Sequence, residues 1–434
     1  MTIETVHDDP RDGAAKAAPG RAAGSGSSGQ SGPSGASGAS GASRASGASA
    51  APVPTGAGRI APSPADRAAK RARALAILDA HDADALVLRS HGALAWYLDG
   101  ARTHVSLAGD PVLAVVVRRD GDEVRAFANE ADRLAAEELA DADADALVRV
   151  PWHAPLLPAD LAAGGLRLLD EADVAADLRR ARASLLPAET SRYRVLGREA
   201  AEVLTDAALA VAPGDAERDV AARIAAGLVA RGIDPLVVLV AGSARLGYRH
   251  PLPTAAPIGR RAMFVACGRR HGLIANVTRW VRFGAATPDE ADASARILDV
   301  EAGFLDATRP GRALDDVFAA GIAGYARHGF DADEWRRHHQ GGAAGYVGRD
   351  PRAVPGIDDP VQLGQAFAWN PTAPGAKVED TVLLGVSTDA AGAGADGSGG
   401  VEFEVLTLDP RWPTTRVAGR DRPVELERDP HPGV

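Results

Sequence analysis

Apolar residues recur at three- and four-residue steps over 65–81, with arginine and lysine between them, and predict an amphipathic helix. The four apolar residues of 85–88 follow as a short buried strand, so the chain opens on an α/β layer. Residues 111–117 read as a second strand, Asp120-Gly121-Asp122 as a turn and 123–128 as its hairpin partner, before 131–140 returns to helix. This unit ends near Leu186-Pro187. From Glu189 the pattern changes: 191–212 and 216–231 are long helical stretches separated by Pro213-Gly214-Asp215, with Asp215 placed to cap the second. Strand-like runs at 236–240, 262–266 and 274–283 precede helices over 288–307 and 313–328, and strands at 366–369, 378–385 and 403–407 close the pattern. A Gly- and Ala-rich tract at 390–400 reads as an insertion in a hairpin.

The first 63 residues do not belong to this alternation. Between Gly24 and Gly58 the chain is almost entirely Gly, Ser, Ala and Pro, a composition that cannot bury enough apolar surface to offset its ordering entropy. The expected organisation is therefore a leader over 1–63, a small α/β domain over 64–187, a larger domain over 188–420 and a tail over 421–434.

Charge and cysteine content narrow the function classes. Asp and Glu outnumber Lys and Arg by 58 to 48, a net charge of −10, which argues against a protein that grips nucleic-acid backbones. Local pairs such as Arg269-Arg270 and Arg336-Arg337 read as solvated faces, ion pairs or contacts to an anionic substrate group. One cysteine, Cys267, leaves neither a disulfide framework nor a thiolate metal cage. The acidic start has no apolar core segment and no run reaches membrane-spanning length. A soluble cytoplasmic protein without nucleic-acid or membrane partners is the expectation.

Four landmarks then occur in order: Tyr-Arg-His-Pro-Leu-Pro at 248–253, Gly-Leu-Ile-Ala-Asn-Val-Thr-Arg at 272–279, His-His-Gln-Gly-Gly-Ala-Ala-Gly-Tyr at 338–346, and a segment running from Asn370-Pro371 to Glu379-Asp380-Thr381. Together they resemble the pita-bread family of creatinase, prolidase, aminopeptidase P and methionine aminopeptidase. The turn Trp96-Tyr-Leu-Asp-Gly100, in place of the usual Tyr-Leu-Thr-Gly, is similar to the amino-terminal domain of the creatinase and aminopeptidase P branch. The resemblance implies an α/β (α+β) fold, with a pita-bread domain behind a smaller creatinase-type domain, and a homodimer.

In the family's metallopeptidases two aspartates, a histidine and two glutamates hold two metal ions. The resemblance carries these onto Val265, Asn276, Gly342, Asn370 and Glu379, of which only the last is a carboxylate. Two hard cations need several anionic ligands, some of them bridging, so the resemblance with these substitutions implies no two-metal cofactor. A mononuclear zinc or manganese site on Glu379 with His250, His338 or His339 is the alternative, since imidazole and carboxylate suit zinc.

What the resemblance retains is a pocket. His250 matches the histidine that serves creatinase as acid/base in a metal-free reaction, and imidazole exchanges protons near neutral pH. His338 matches a second family histidine, four residues before the missing ligand. In the bland reading His250 is a loop surface residue, His338 and His339 close a helix, and Glu379-Asp380 is an exposed acidic pair. In the functional reading His250, His338 and Glu379 are catalytic, while Asn276, Asn370, His339 and Arg279 line the substrate site. Arg102, just after the Asp99-Gly100 turn, is either a surface arginine or a clamp for a substrate carboxylate.

Three functions follow. The first is a metal-independent, creatinase-like hydrolase of an amide, ureido or peptide C–N bond in a small molecule or short peptide. The second is a non-catalytic binding protein that keeps the pocket walls. The third is a metal-dependent Xaa-Pro aminopeptidase or prolidase-like peptidase.

Overall fold

A computed structural model describes residues 63–158, 161, 165–386 and 400–429. The expected leader, apart from Ser63, and the tract at 390–400, apart from Gly400, lie outside the described residues. Helix α1 (Pro64–Ala80) starts where Ser63 accepts the amide of Asp66 and Pro64 supplies the first-turn φ. It packs over a sheet made of β1 (Ala85–Leu88), β2 (Leu113–Arg118), β3 (Asp122–Phe127), β4 (Leu147–Val150) and β5 (Leu168–Asp170). The strand order is β4-β3-β2-β1-β5, antiparallel in the middle and parallel at both ends. Helices α2 (His91–Tyr97), α3 (Ala128–Arg133), α4 (Asp141–Asp145) and α5 (Ala175–Ala183) complete this half. Helix α3 runs on as a π turn over Leu134–Glu138, where a single longer helix was expected.

The larger half begins with α6 (Pro187–Ala210) and α7 (Glu217–Ala230). Asp215 does not cap α7: it accepts the amide of Ala212 and pairs with Arg223, bracing the turn between the helices. Two sheets follow. The first orders β17-β8-β7-β6, from β6 (Asp234–Ala241), β7 (Arg261–Arg270), β8 (Leu273–Phe283) and β17 (Leu426–Arg428). The second orders β14-β13-β10-β9, from β9 (Gly341–Ala344), β10 (Ala366–Trp369), β13 (Val382–Val386) and β14 (Val401–Val405). Helices α8 (Pro288–Ala307) and α9 (Leu314–Arg327) pack on the second sheet through Phe304, Phe318 and Tyr325 against Phe367 and Trp369. The short ribbons β11 (Thr372–Ala373) with β12 (Ala376–Lys377), and β15 (Thr414–Val417) with β16 (Arg420–Pro423), finish the mixed α/β fold.

The hairpin β7–β8 carries the site, and its turn explains its sequence. His271 and Gly272 both take left-handed φ, 50° and 78°, which a two-residue turn between right-twisted strands requires. A Cβ on Gly272 would lie 2.4 Å from the Ala95 Cβ of the other half, so glycine is also needed for close packing.

Two expected boundaries are not gaps in packing. A single hydrophobic core runs from Ala74 in α1 to Trp412, passing through Tyr193, Leu204 and Phe264. Charged groups cross the same junction: the buried Lys70 ammonium lies 2.6 Å from Asp99 and 3.1 Å from Glu189, and Arg192 meets Asp99 at 2.7 Å. The fold also does not end at residue 420. Strand β17 pairs in parallel with β8, and Arg422 is 1% exposed, so 420–428 is structure rather than tail. Among the described residues no helix is long and apolar enough to cross a membrane.

Candidate functional site

Three segments distant in sequence are drawn together beside Asn276 and Thr278 of β8. His250 stands on the loop between β6 and β7, and that loop is anchored by Glu217, which is buried at the start of α7. The Glu217 carboxylate accepts from the amides of Gly242 and Thr254 and from the Thr254 hydroxyl, and pairs with Arg245. Arg249 then reaches Glu334 in the 3-10 turn Glu334–Arg337, tying the loop to the segment that delivers His338 and His339. Gln340 fixes that segment from below by donating to His338 O at 2.6 Å and accepting from the Tyr325 hydroxyl.

The result is a cluster of three imidazoles. His338 Nε2 and His250 Nε2 are 3.1 Å apart, and the ring of His339 stacks on both. His250 is exposed, His338 is buried and His339 lies between. One ring nitrogen from each lies within 4.8 Å of the others, so the three could hold a single ion. All three are held neutral near pH 7. Burial and then Lys377 lower His338 to about 2, burial and then Arg349 lower His339 to about 3, and burial and then Lys377 lower His250. The Nδ1 atoms of His338 and His339 are buried and have no partner among the described residues.

Glu379 follows β12 and is 2% exposed. Burial works to raise its pKa, but Lys377, Arg349 and the Thr278 hydroxyl outweigh it and leave the group at about 2, so it is a carboxylate at any ordinary pH. Its oxygens meet Arg349, the Thr278 hydroxyl at 3.0 Å, the Lys377 ammonium at 3.6 Å and the Asn370 amide at 3.4 Å. Arg349 also donates to Asn276 Oδ1 at 2.8 Å. The Asn370 Oδ1 is buried and has no partner among the described residues. Cys267, on β7, is the cross-strand partner of Asn276 on β8, and burial pushes its thiol up to about 12, so it stays protonated.

Strand parity decides which predicted residues meet here. On β8, Asn276 and Thr278 face Arg349 and Glu379, whereas Arg279 faces the other way. Its guanidinium is 1% exposed and engaged by Asp380, Thr278 O and Thr407 O, so Arg279 has its own buried partners and does not line the cluster. Arg102 is paired with Glu138 through both its amide and its guanidinium, and among the described residues it makes no bond to the site. His250, His338, His339, Asn276, Asn370 and Glu379 do converge.

Sequence reasoning missed the cations. Lys377 was within reach, because a residue two positions from Glu379 in an extended segment faces the same side. Arg349 lies in the loop after β9, 73 residues from Asn276 and 30 from Glu379, and no local pattern marks it. Thr278 was visible only as part of the Thr-Arg pair.

The sequence model of metallopeptidase family M24 matches residues 191–405. No curated protein matches the sequence. Among solved structures, the dipeptidase PepE of Mycobacterium ulcerans superposes with a TM-score of 0.62 at 21% identity, over 80% of this chain and 96% of that one. The prolidase of Pyrococcus horikoshii OT3 gives 0.62 at 14% identity, over 79% and 99%. The X-Pro aminopeptidase of Thermotoga maritima MSB8 gives 0.58 at 13%, over 78% and 98%. At these identities the structural likeness speaks for the fold. Residues 191–405 thus match metallopeptidase family M24, and the order of motifs that the fold brings together is that of the pita-bread proteins.

Proposed function

We propose that the protein hydrolyses a C–N bond in a small carboxylated or peptide-like molecule without a two-metal cluster. The observation that carries this reading is the position of Arg349. Its guanidinium bridges Asn276 and Glu379, two of the five positions at which the family's metallopeptidases hold metal. A cation of the protein's own thus stands between the side chains that would otherwise clasp cations. The remaining positions support the same reading. Val265 offers no donor atom. Gly342, at the position of the ligand histidine, has φ 138°, and a Cβ there would lie 2.6 Å from Ala353 N and Pro351 O. A histidine cannot be seated on that backbone. The five positions therefore do not fit a pair of divalent ions.

In this reading His250, the exposed imidazole, is the general base. It takes a proton from water as the oxygen–carbon bond forms and returns it to the nitrogen as the C–N bond breaks. His338 shares a proton with it across the 3.1 Å contact and so sets which nitrogen is free. The negative charge that develops on the attacked carbonyl oxygen arises beside Arg349 and Lys377, fixed cations that need no reorganisation. Asn370 Oδ1 is positioned to accept an N–H of the substrate.

The test is turnover of dipeptides and N-carbamoyl amino acids in excess chelator. Turnover is expected to survive chelation, to gain nothing from manganese, cobalt or zinc, and to fall by about 10²-fold or more in His250→Ala. A second reading is favoured by the three converging imidazoles: a single zinc-type ion on His250, His338 and His339 in a metal-dependent peptidase. Chelator-sensitive turnover restored by one equivalent of metal would select it.

A further inference from the structure

We propose that this pocket is charge-inverted relative to a cation site and receives an oxyanion of its ligand, a carboxylate or phosphate, against Lys377 and Arg352. The inference rests on the assignment of the site above and names the class of molecule it takes.

The charges facing the imidazoles do not balance. Glu379 is the one carboxylate bonded to this group among the described residues, and Arg349 already answers it. Of the neighbouring acids, Glu334 is occupied by Arg249 and Arg337, and Asp380 by Arg279 and Arg422. Two cations are left over. Lys377 is 6% exposed, yet its ammonium makes no hydrogen bond among the described residues and reaches only Glu379, at 3.6 Å. An ammonium carries three donors, and one ion pair at 3.6 Å leaves them free for the acceptors of a ligand. Arg352 is exposed and makes no ion pair among the described residues, and its backbone bridges Gly342, which holds it beside the His338–Gly342 segment. Both cations act on the histidines: Lys377 lowers all three, and Arg352 lowers His250 and His339. A divalent cation entering the imidazole cluster would meet the same repulsion, whereas an oxyanion relieves it.

The polar atoms around these cations also lack partners. Arg349 Nε, His338 Nδ1, His339 Nδ1 and Asn370 Oδ1 are all buried and unsatisfied. Buried polar groups are ordinarily paired, so these four are donor and acceptor positions that a bound molecule would complete. Arg349 Nε and protonated imidazole nitrogens donate to an oxyanion, while Asn370 Oδ1 takes the N–H of an amide beside it. A small molecule with a carboxylate or phosphate next to an amide group satisfies the whole set.

Calorimetric titration of the full-length protein with succinate, inorganic phosphate, neutral succinamide and zinc chloride tests this. Saturable binding of succinate or phosphate is expected, weakening with added salt, with none for succinamide. Which of the two binds tighter distinguishes a carboxylate from a phosphate ligand. The Lys377→Met variant should lose at least tenfold in oxyanion affinity. Because Arg352 is exposed, Arg352→Ala keeps its fold and should lose several-fold, so it decides the matter if Lys377→Met unfolds. Equal binding of succinate and succinamide, affinities unchanged in both variants, or stoichiometric zinc binding with no oxyanion binding would overturn the proposal. Oxyanion binding without turnover of any amide would retire the hydrolase reading and leave this one standing. Turnover of uncharged amides without oxyanion binding would do the reverse.

Discussion

Glu379 and Asp380 are neighbours in sequence, both buried, both paired with arginine, and they belong to different parts of the molecule's chemistry. Asp380 sits in a balanced cluster. Its oxygens accept from Arg279 at 2.9 Å, the Thr407 hydroxyl at 2.8 Å and Arg422 at 2.9 Å, and Arg422 forms a two-bond fork on Glu301. Two carboxylates thus face two guanidinium groups. Glu379 alone faces Arg349 and Lys377, with Arg352 nearby and three neutral imidazoles above. Each cluster contains some unpaired nitrogen atoms, including Arg279 Nε and Arg422 Nη1 on the balanced side. What separates them is charge: the Asp380 cluster closes on itself, and the Glu379 cluster carries a cationic surplus.

The largest effect expected of this contrast is on stability. Removing one member of the balanced cluster, as in Arg422→Ala, strands Glu301 in the interior, leaves Asp380 with Arg279 alone, and should cost about 3–5 kcal/mol in chemical denaturation. Next comes activity. His250→Ala should lower kcat/KM by about 10²-fold or more, the range of a lost general base, while the melting temperature stays at that of the parent. A variant that lost both together would blur the line between the two clusters.

Acid should act on the imidazole cluster in a defined window. In the unfolded chain His338 and His339 take up protons near the ordinary value of 6.5, but in the folded protein not until about 2 and about 3. Between those values the unfolded state binds more protons, so stability falls as pH drops below about 6.5, by at most about 1.4 kcal/mol per pH unit for each ring. Glu379 adds a second loss at lower pH. Its folded value is about 2 against an ordinary 4.5, so the stability it contributes is present above 4.5 and disappears as pH falls towards 2. The double variant His338→Asn, His339→Asn should flatten the profile between pH 6.5 and 5, measured by denaturant melts at each pH. The smallest expected effect is the sharpest comparison: Lys377→Met removes a surplus cation, leaves Glu379 with Arg349 and Thr278, and should change stability by less than about 1 kcal/mol in either direction. A loss as large as that of Arg422→Ala would show the two clusters to be alike.

Much of the fold was legible because its elements are long and periodic. The helix expected over 288–307 is α8 residue for residue, with Thr287 and Glu290 forming its capping box, and the strand at 85–88 is β1. Boundaries slipped where tertiary contacts set them. The strand expected from 378 begins at Val382, because Glu379 and Asp380 are held out by side-chain bonds to two clusters rather than by a ladder. The segment after 420 read as a tail, since its few apolar residues give no period. Its place is set by parallel pairing with β8 and by the burial of Arg422.

The sequence by itself determined the fold and which residues, Val265, Asn276, Gly342 and Asn370, stand at the motif positions, because motif order and spacing are one-dimensional facts. It could not determine the sign of the pocket. That depends on which charges end up facing one another, and Arg349 and Lys377 enter from a loop and a ribbon with no local signature. Nor could it tell Glu379 from Asp380, or Thr278 from Arg279. Adjacent side chains on extended backbone point to opposite sides, and only the packed structure decides which side is the site and which is the core.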